Sequence, residues 1–94
     1  MIDFYRGQVR SVRDDGKLDL VIDLGFFIFH RCVLAAAGIN ESPEFADFAR
    51  DWLDKYQQVY LQVEPSVDGP DVVIIYADPE RTICLNEDFF LSGL

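Results

Sequence analysis

Three kinds of side chain in this sequence can do chemistry: carboxylates, two thiols and one imidazole. The imidazole is His30, inside "FIFHRC", and the thiols are Cys32 and Cys84. Together they cannot complete a four-coordinate zinc site without a carboxylate. A lone histidine in a strand-like run is read as structural. The carboxylates are more telling. Glu44, Asp47, Asp51 and Asp54 recur at i, i+3, i+7 and i+10. On a helix this spacing sets them along one face, successive members about 4.5 to 6 Å apart along the axis. Nucleic acid phosphates have comparable separations, so such a face can occupy a protein's phosphate-binding groove. The plainer use of the same residues is a solvated face, with Arg50 and Lys55 paired to Asp54 and Asp51.

Charge across the chain is uneven. Residues 1–40 carry five basic and five acidic groups, whereas residues 41–94 carry three basic and twelve acidic ones. The net charge of −9 therefore belongs to the second part. Clustered carboxylates repel phosphate and attract basic protein surfaces. The expected partner is a protein with a basic surface, and direct nucleic acid binding is disfavoured. Arg6 and Arg10, with Phe4 and Tyr5 just before them, form the one stripe with nucleic-acid character; Asp3, Asp14 and Asp15 offset it. The start, "MIDFYRGQVR", lacks the apolar run of a signal peptide. No segment reaches the ~18 apolar residues of a membrane span. A cytoplasmic protein with no membrane association and two reduced, mostly buried thiols is expected.

The 94 residues suffice for one domain. "DFYRGQVRSV" reads as a strand, "DDG" at 14–16 as a turn, and "KLDLVIDL" as a half-buried strand whose leucines and isoleucine alternate with aspartates. Gly25 turns the chain, and "FFIFHRCVLAAA" reads as a long third strand. Ser42 then Pro43 mark a helix start. Phe45, Phe48, Ala49, Trp52, Leu53 and Tyr56 follow as its apolar stripe. "QQVYLQVE" is a fourth strand, "PSVDGPD" a loop, "VVIIYAD" a buried fifth strand, and a short helical segment begins near Asn86. The order β-β-β-α-β-β is that of a five-stranded OB-fold barrel, mainly β within the α+β class.

The residues also carry a family resemblance. "IDLGF" at 22–26, "GIN" at 38–40, "SPE" at 42–44, "VYLQVE", "YAD" and "LNEDFFLSGL" resemble, in order and spacing, the staphylococcal-nuclease-like (thermonuclease) family, particularly its short phage-type members. The resemblance spans nearly the whole chain. It stops where the family's last helices would begin, implying a single trimmed OB-fold domain over 1–94. It also implies a Ca²⁺-dependent phosphodiesterase in which carboxylates hold the cation, a glutamate handles water and two arginines neutralise phosphate. Carried over, the metal and base positions fall at Asp15, Asp19, Asn40, Glu41 and Glu44. Lys17 stands where one metal-binding aspartate belongs. Ala35 stands at the first arginine position, and Pro70 or Asp71 at the second.

With those groups replaced, no catalytic residue, metal or cofactor is assigned. The expected function is a catalytically inactive, nuclease-like binding module that acts through protein–protein contacts. The acidic half and the phage-type resemblance extend this to a DNA-mimicking inhibitor of a host nucleic-acid-binding or defence complex, of the anti-CRISPR kind, working in the host cytoplasm. Its contact residues would be Glu44, Asp47, Asp51 and Asp54, with Phe89 and Phe90 from an apolar C-terminal patch. A divergent Ca²⁺- or Mg²⁺-dependent nuclease is the alternative reading, and a homodimerising structural module is the third.

Overall fold

In the computed structural model, which describes residues 3–65, 69 and 71–92, five strands close into one barrel with two helices. The strands are β1 (Asp3–Val12), β2 (Leu18–Asp23), β3 (Phe29–Ala36), β4 (Val59–Glu64) and β5 (Val72–Tyr76). Helix α1 (Pro43–Lys55) lies between β3 and β4, and α2 (Leu85–Leu91) follows β5. Around the barrel the order is β1-β2-β3-β5-β4. All neighbours are antiparallel except β3 and β5, which run parallel through Ala35–Val72 and Ala36–Val73. This is the expected OB-fold-like architecture.

Strand alternation sets the interior. Leu18, Leu20 and Ile22 of β2 point inward with Val59 and Leu61 of β4 and Val73 and Ile75 of β5. Phe45, Ala49 and Trp52 of α1 and Leu85 of α2 complete the core. Gly7 lies at a close approach of β1 to its neighbours in the barrel wall. A Cβ there would sit 2.4 Å from the Leu61 Cδ1 and 2.7 Å from the Val21 carbonyl oxygen.

Ser42 caps α1, its hydroxyl accepting the Phe45 N–H at 3.1 Å, and Pro43 occupies the first turn. The Trp52 Nε1 donates to Asp88 at 2.8 Å and so ties α1 to α2. Asn86 is buried and makes three contacts. It accepts the Ile75 N–H at 3.1 Å and donates to the carbonyls of Ala37 and Val73, both at 3.1 Å. One side chain thus holds the end of β3, strand β5 and α2 together.

The third strand is shorter than the sequence suggests. Gly25, Phe26 and Phe27 have φ of 85°, 55° and 62°. Extended backbone cannot continue through left-handed residues, so Phe26–Ile28 form a turn and β3 begins at Phe29. Most of the expected "PSVDGPD" loop, including Asp68 and Pro70, lies outside the described residues, as does Leu94.

Candidate functional site

The positions implied by the nuclease resemblance come together only in part. Asp15 sits in the β1–β2 turn, where its Oδ1 accepts the backbone N–H of Lys17 at 3.0 Å. Gly16 beside it is buried, with φ of 93°, and a Cβ would come within 2.9 Å of the Ser42 nitrogen. The turn therefore packs against the backbone that leads into α1. Asp19 faces the other way. It follows Leu18 on the outer side of the barrel, where Arg31 grips it: Nε to Oδ1 at 3.2 Å and Nη2 to Oδ2 at 2.8 Å. This charged hydrogen bond holds the Asp19 carboxyl below the ordinary aspartate range, with Arg13 and Arg10 adding to the effect. A carboxylate so occupied is not disposed toward a cation near Asp15.

Asn40 and Glu44 do come together. They share an open groove of about 690 Å³ with Ile39, Ser42, Phe89 and Phe90. Asp15 and Asp19 do not line it. Glu41 is exposed at its side of the α1 entry. Among the described residues no three His, Cys, Asp or Glu side chains form a cluster that could hold a metal ion. Ala35 is half-buried in the β3–β5 pairing, and Asp71 is exposed just before β5. Arg81, the cation nearest in sequence, lies 4.5 Å over the Phe4 ring instead.

The acidic stripe forms as the helical spacing requires. Glu44, Asp47, Asp51 and Asp54 are all exposed, while Phe45, Ala46, Ala49 and Trp52 are buried on the opposite side of α1. Arg50 pairs differently from the i, i+4 expectation. It reaches Asp47 at 3.3 Å, Asp14 at 2.8 Å and the Val12 carbonyl at 2.8 Å. It thereby pairs with one inner member of the stripe, Asp47, and fastens α1 to the end of β1.

The expected apolar pair at the C-terminal side divides. Phe89 is half-buried, its ring edge-on to Phe45 at 5.0 Å and to Phe48 at 5.4 Å. It is packed into the α1–α2 contact, so Phe90 and Leu91 supply the exposed surface there. Of the N-terminal aromatics, Phe4 stacks on Tyr60 outside the barrel, whereas Tyr5 packs against the core. His30 is exposed on β3, opposite Ile22. Cys32 and Cys84 are free thiols, and burial raises both pKa values.

Among the described residues the largest apolar exposure is elsewhere, at the β2–β3 turn. Leu24, Phe26, Phe27, Ile28 and Phe29 are all exposed. The turn is firmly built: Ile28 donates to the Gly25 carbonyl at 2.9 Å and Leu24 to the Ile28 carbonyl at 2.9 Å. The Asp23 Oδ1 accepts the Gly25 N–H at 2.8 Å. Two central residues with positive φ make a primed hairpin turn, a geometry that Asn–Gly normally fills. Phenylalanine there is strained, and its side chain gains no burial in return. Sequence reasoning placed Phe26 and Phe27 beside a turn but inside a strand. The turn that the sequence places at Gly25 extends one step further, with Phe26 and Phe27 as its central residues.

These features define the chain as a small closed β-barrel of OB-fold-like order with an acidic helix and an apolar hairpin tip. Comparison with known proteins found no matching family model, no matching curated protein and no matching solved structure. No helix among the described residues is long and apolar enough to cross a membrane.

Proposed function

We propose that this chain is a catalytically inactive binding module that acts through protein–protein contacts. The observation that carries the reading is the Phe26–Phe27 tip, where strained backbone holds two phenylalanines in solvent. Such strain persists at sites where the exposed group has a use. Contiguous exposed apolar surface on a folded domain marks a contact site. The engagement of Asp19 by Arg31, which turns that carboxylate away from a cation, supports the reading without phosphodiester chemistry.

A second reading is favoured by the exposure of all four α1 carboxylates. In it the acidic face stands in for phosphates and engages a basic groove on a host nucleic-acid-binding or defence complex. The phage-type resemblance adds the role of inhibitor.

Two measurements test these readings. Single-stranded DNA incubated with the protein and Ca²⁺ or Mg²⁺ should remain intact. Cleavage that depends on metal and disappears in Glu41→Gln or Glu44→Gln would replace the module reading with a divergent nuclease. Affinity capture from the host should then be compared between wild type and two variants. Loss of the captured protein on reversing Asp47, Asp51 and Asp54 to lysine assigns contact to the acidic face. Loss only on changing Phe26 and Phe27 assigns it to the tip.

A further inference from the structure

We infer that the β2–β3 hairpin is a self-association surface and that its occupant is a second copy of this chain. The inference rests on the module reading above and names the partner of the same tip. Three observations meet at this hairpin.

The first is area. Leu24, Phe26, Phe27, Ile28 and Phe29 are 47, 93, 96, 57 and 62% exposed. With aromatic side chains offering about 150–250 Å² each, the patch presents on the order of 700 Å². Two copies would then cover about 1,400 Å², inside the range of stable protein interfaces at roughly 1,200–2,000 Å². The patch also exceeds the roughly 300–600 Å² typical of the largest patch on a monomer.

The second is an open strand edge beside the patch. Among the described residues, β3 meets β5 only at Ala35 and Ala36, while Phe29–Leu34 pair with β2 alone. Their outer backbone groups form an edge that can accept another strand. A two-fold axis passing near Phe29 would set the first residues of two β3 strands antiparallel along this edge while keeping the two tips side by side, the self-complementary geometry of a C2 dimer.

The third is charge. Residues 24–29 carry no charged side chain. Nearby Arg31 is already paired with Asp19, and Asp23 caps Gly25. The carboxylates responsible for the −9 lie in the second part of the chain, outside this hairpin. An uncharged apolar face fits another of its kind, and joining two tips sets no like charges in direct contact. The remaining long-range repulsion between two acidic copies is screened by salt, so association should tighten as ionic strength rises.

Sedimentation equilibrium on the full chain tests this directly. Wild type should shift with concentration from one to two chain masses, more readily at high salt. The variant Phe26→Asn with Phe27→Gly suits the turn geometry and should fold at least as well, as thermal melting would verify. Its dimer dissociation constant should rise by about a hundredfold or more, as expected on removing two central aromatic contacts. A wild type that stays monomeric, or a dimer equally tight in the variant, overturns the inference. Co-sedimentation with neutral phosphatidylcholine vesicles separates the other occupants. A monomer that binds vesicles through Phe26 and Phe27 overturns the second copy in favour of a lipid surface. A monomer that captures a host protein through the tip overturns the dimer while leaving the module reading standing.

Discussion

Arg31 holds Asp19 with both arms of its guanidinium across the outer face of β2 and β3, at 3.2 and 2.8 Å. The pairing is diagonal, since Asp19 lies opposite Val33 and Arg31 opposite Val21. It fixes two strands of the barrel to each other. It also commits to structure a carboxylate that the nuclease resemblance would assign to a metal.

The pair should give the fold an acid-sensitive component. Arg31 depresses the Asp19 pKa below its ordinary 3.8 in the folded state. A depressed carboxylate stabilises the fold fully above the ordinary value, and that contribution is lost as pH falls through the folded value. Asp78, depressed mainly by the Thr82 hydroxyl, adds a component of the same sign. Thermal melts from neutral to acid pH should therefore show falling stability below the ordinary aspartate pKa. Asp19→Asn should be less stable at neutral pH and lose part of that acid dependence. An Asp19→Asn curve parallel to wild type would contradict the assignment.

The tip makes a prediction of opposite sign. Left-handed backbone costs a non-glycine residue about 1–2 kcal/mol. Replacing Phe26 and Phe27 with Asn and Gly should therefore stabilise the isolated domain by roughly 1–2 kcal/mol, because the removed side chains are exposed. Chemical denaturation at a concentration where wild type is monomeric measures this. A lower midpoint in the variant would mean that the phenylalanines support the fold.

Asn86 should be among the costliest residues to change. Truncation to alanine leaves the Ile75 N–H and the carbonyls of Ala37 and Val73 without this partner. The Val73 carbonyl still accepts the Ala37 N–H at 2.8 Å, so the Ile75 N–H and the Ala37 carbonyl carry the cost, and at about 1–3 kcal/mol for each buried polar group left unsatisfied a loss of a few kcal/mol is expected. Asn86→Asp keeps the acceptor for Ile75 but removes both donated bonds, and it should also destabilise. Denaturant titration of both variants checks the size of the effect.

Gly7→Ala tests the close approach of β1 to β2 and β4. A methyl group there meets the Leu61 side chain and, less forgivingly, the Val21 backbone oxygen. Leucine can shift but a ladder carbonyl cannot without distorting the β1–β2 pairing. A loss of about 1–3 kcal/mol is expected, as for other overpacked cores. An unchanged melting temperature would place β1 farther from β2 than the geometry here.

Much of the barrel could be read from residue pattern alone. Alternation from Leu18 to Ile22 gave β2 and its inward face, because side chains on a strand change sides at each residue. Ser42–Pro43 and the stripe from Phe45 to Tyr56 gave α1, because capping and a 3.6-residue period are local. The exposure of Glu44, Asp47, Asp51 and Asp54 followed from the same period. Family-like motifs indicated which residues could form a site, but motif order carries no distances.

The sequence by itself determined the strand and helix order, the barrel class and the acidic face of α1. Only the tertiary structure decided which carboxylates are occupied and which apolar residues are covered. Asp19 acquires its partner across a strand pair twelve residues apart. Phe89 and Phe90 are adjacent in sequence, yet one packs on Phe45 and Phe48 and the other faces solvent. Phe26 and Phe27 look like strand residues until the positive φ at Gly25, Phe26 and Phe27 turns the chain and leaves both side chains outside. Local pattern fixes periodicity. Burial and pairing depend on elements far apart in the chain meeting in space.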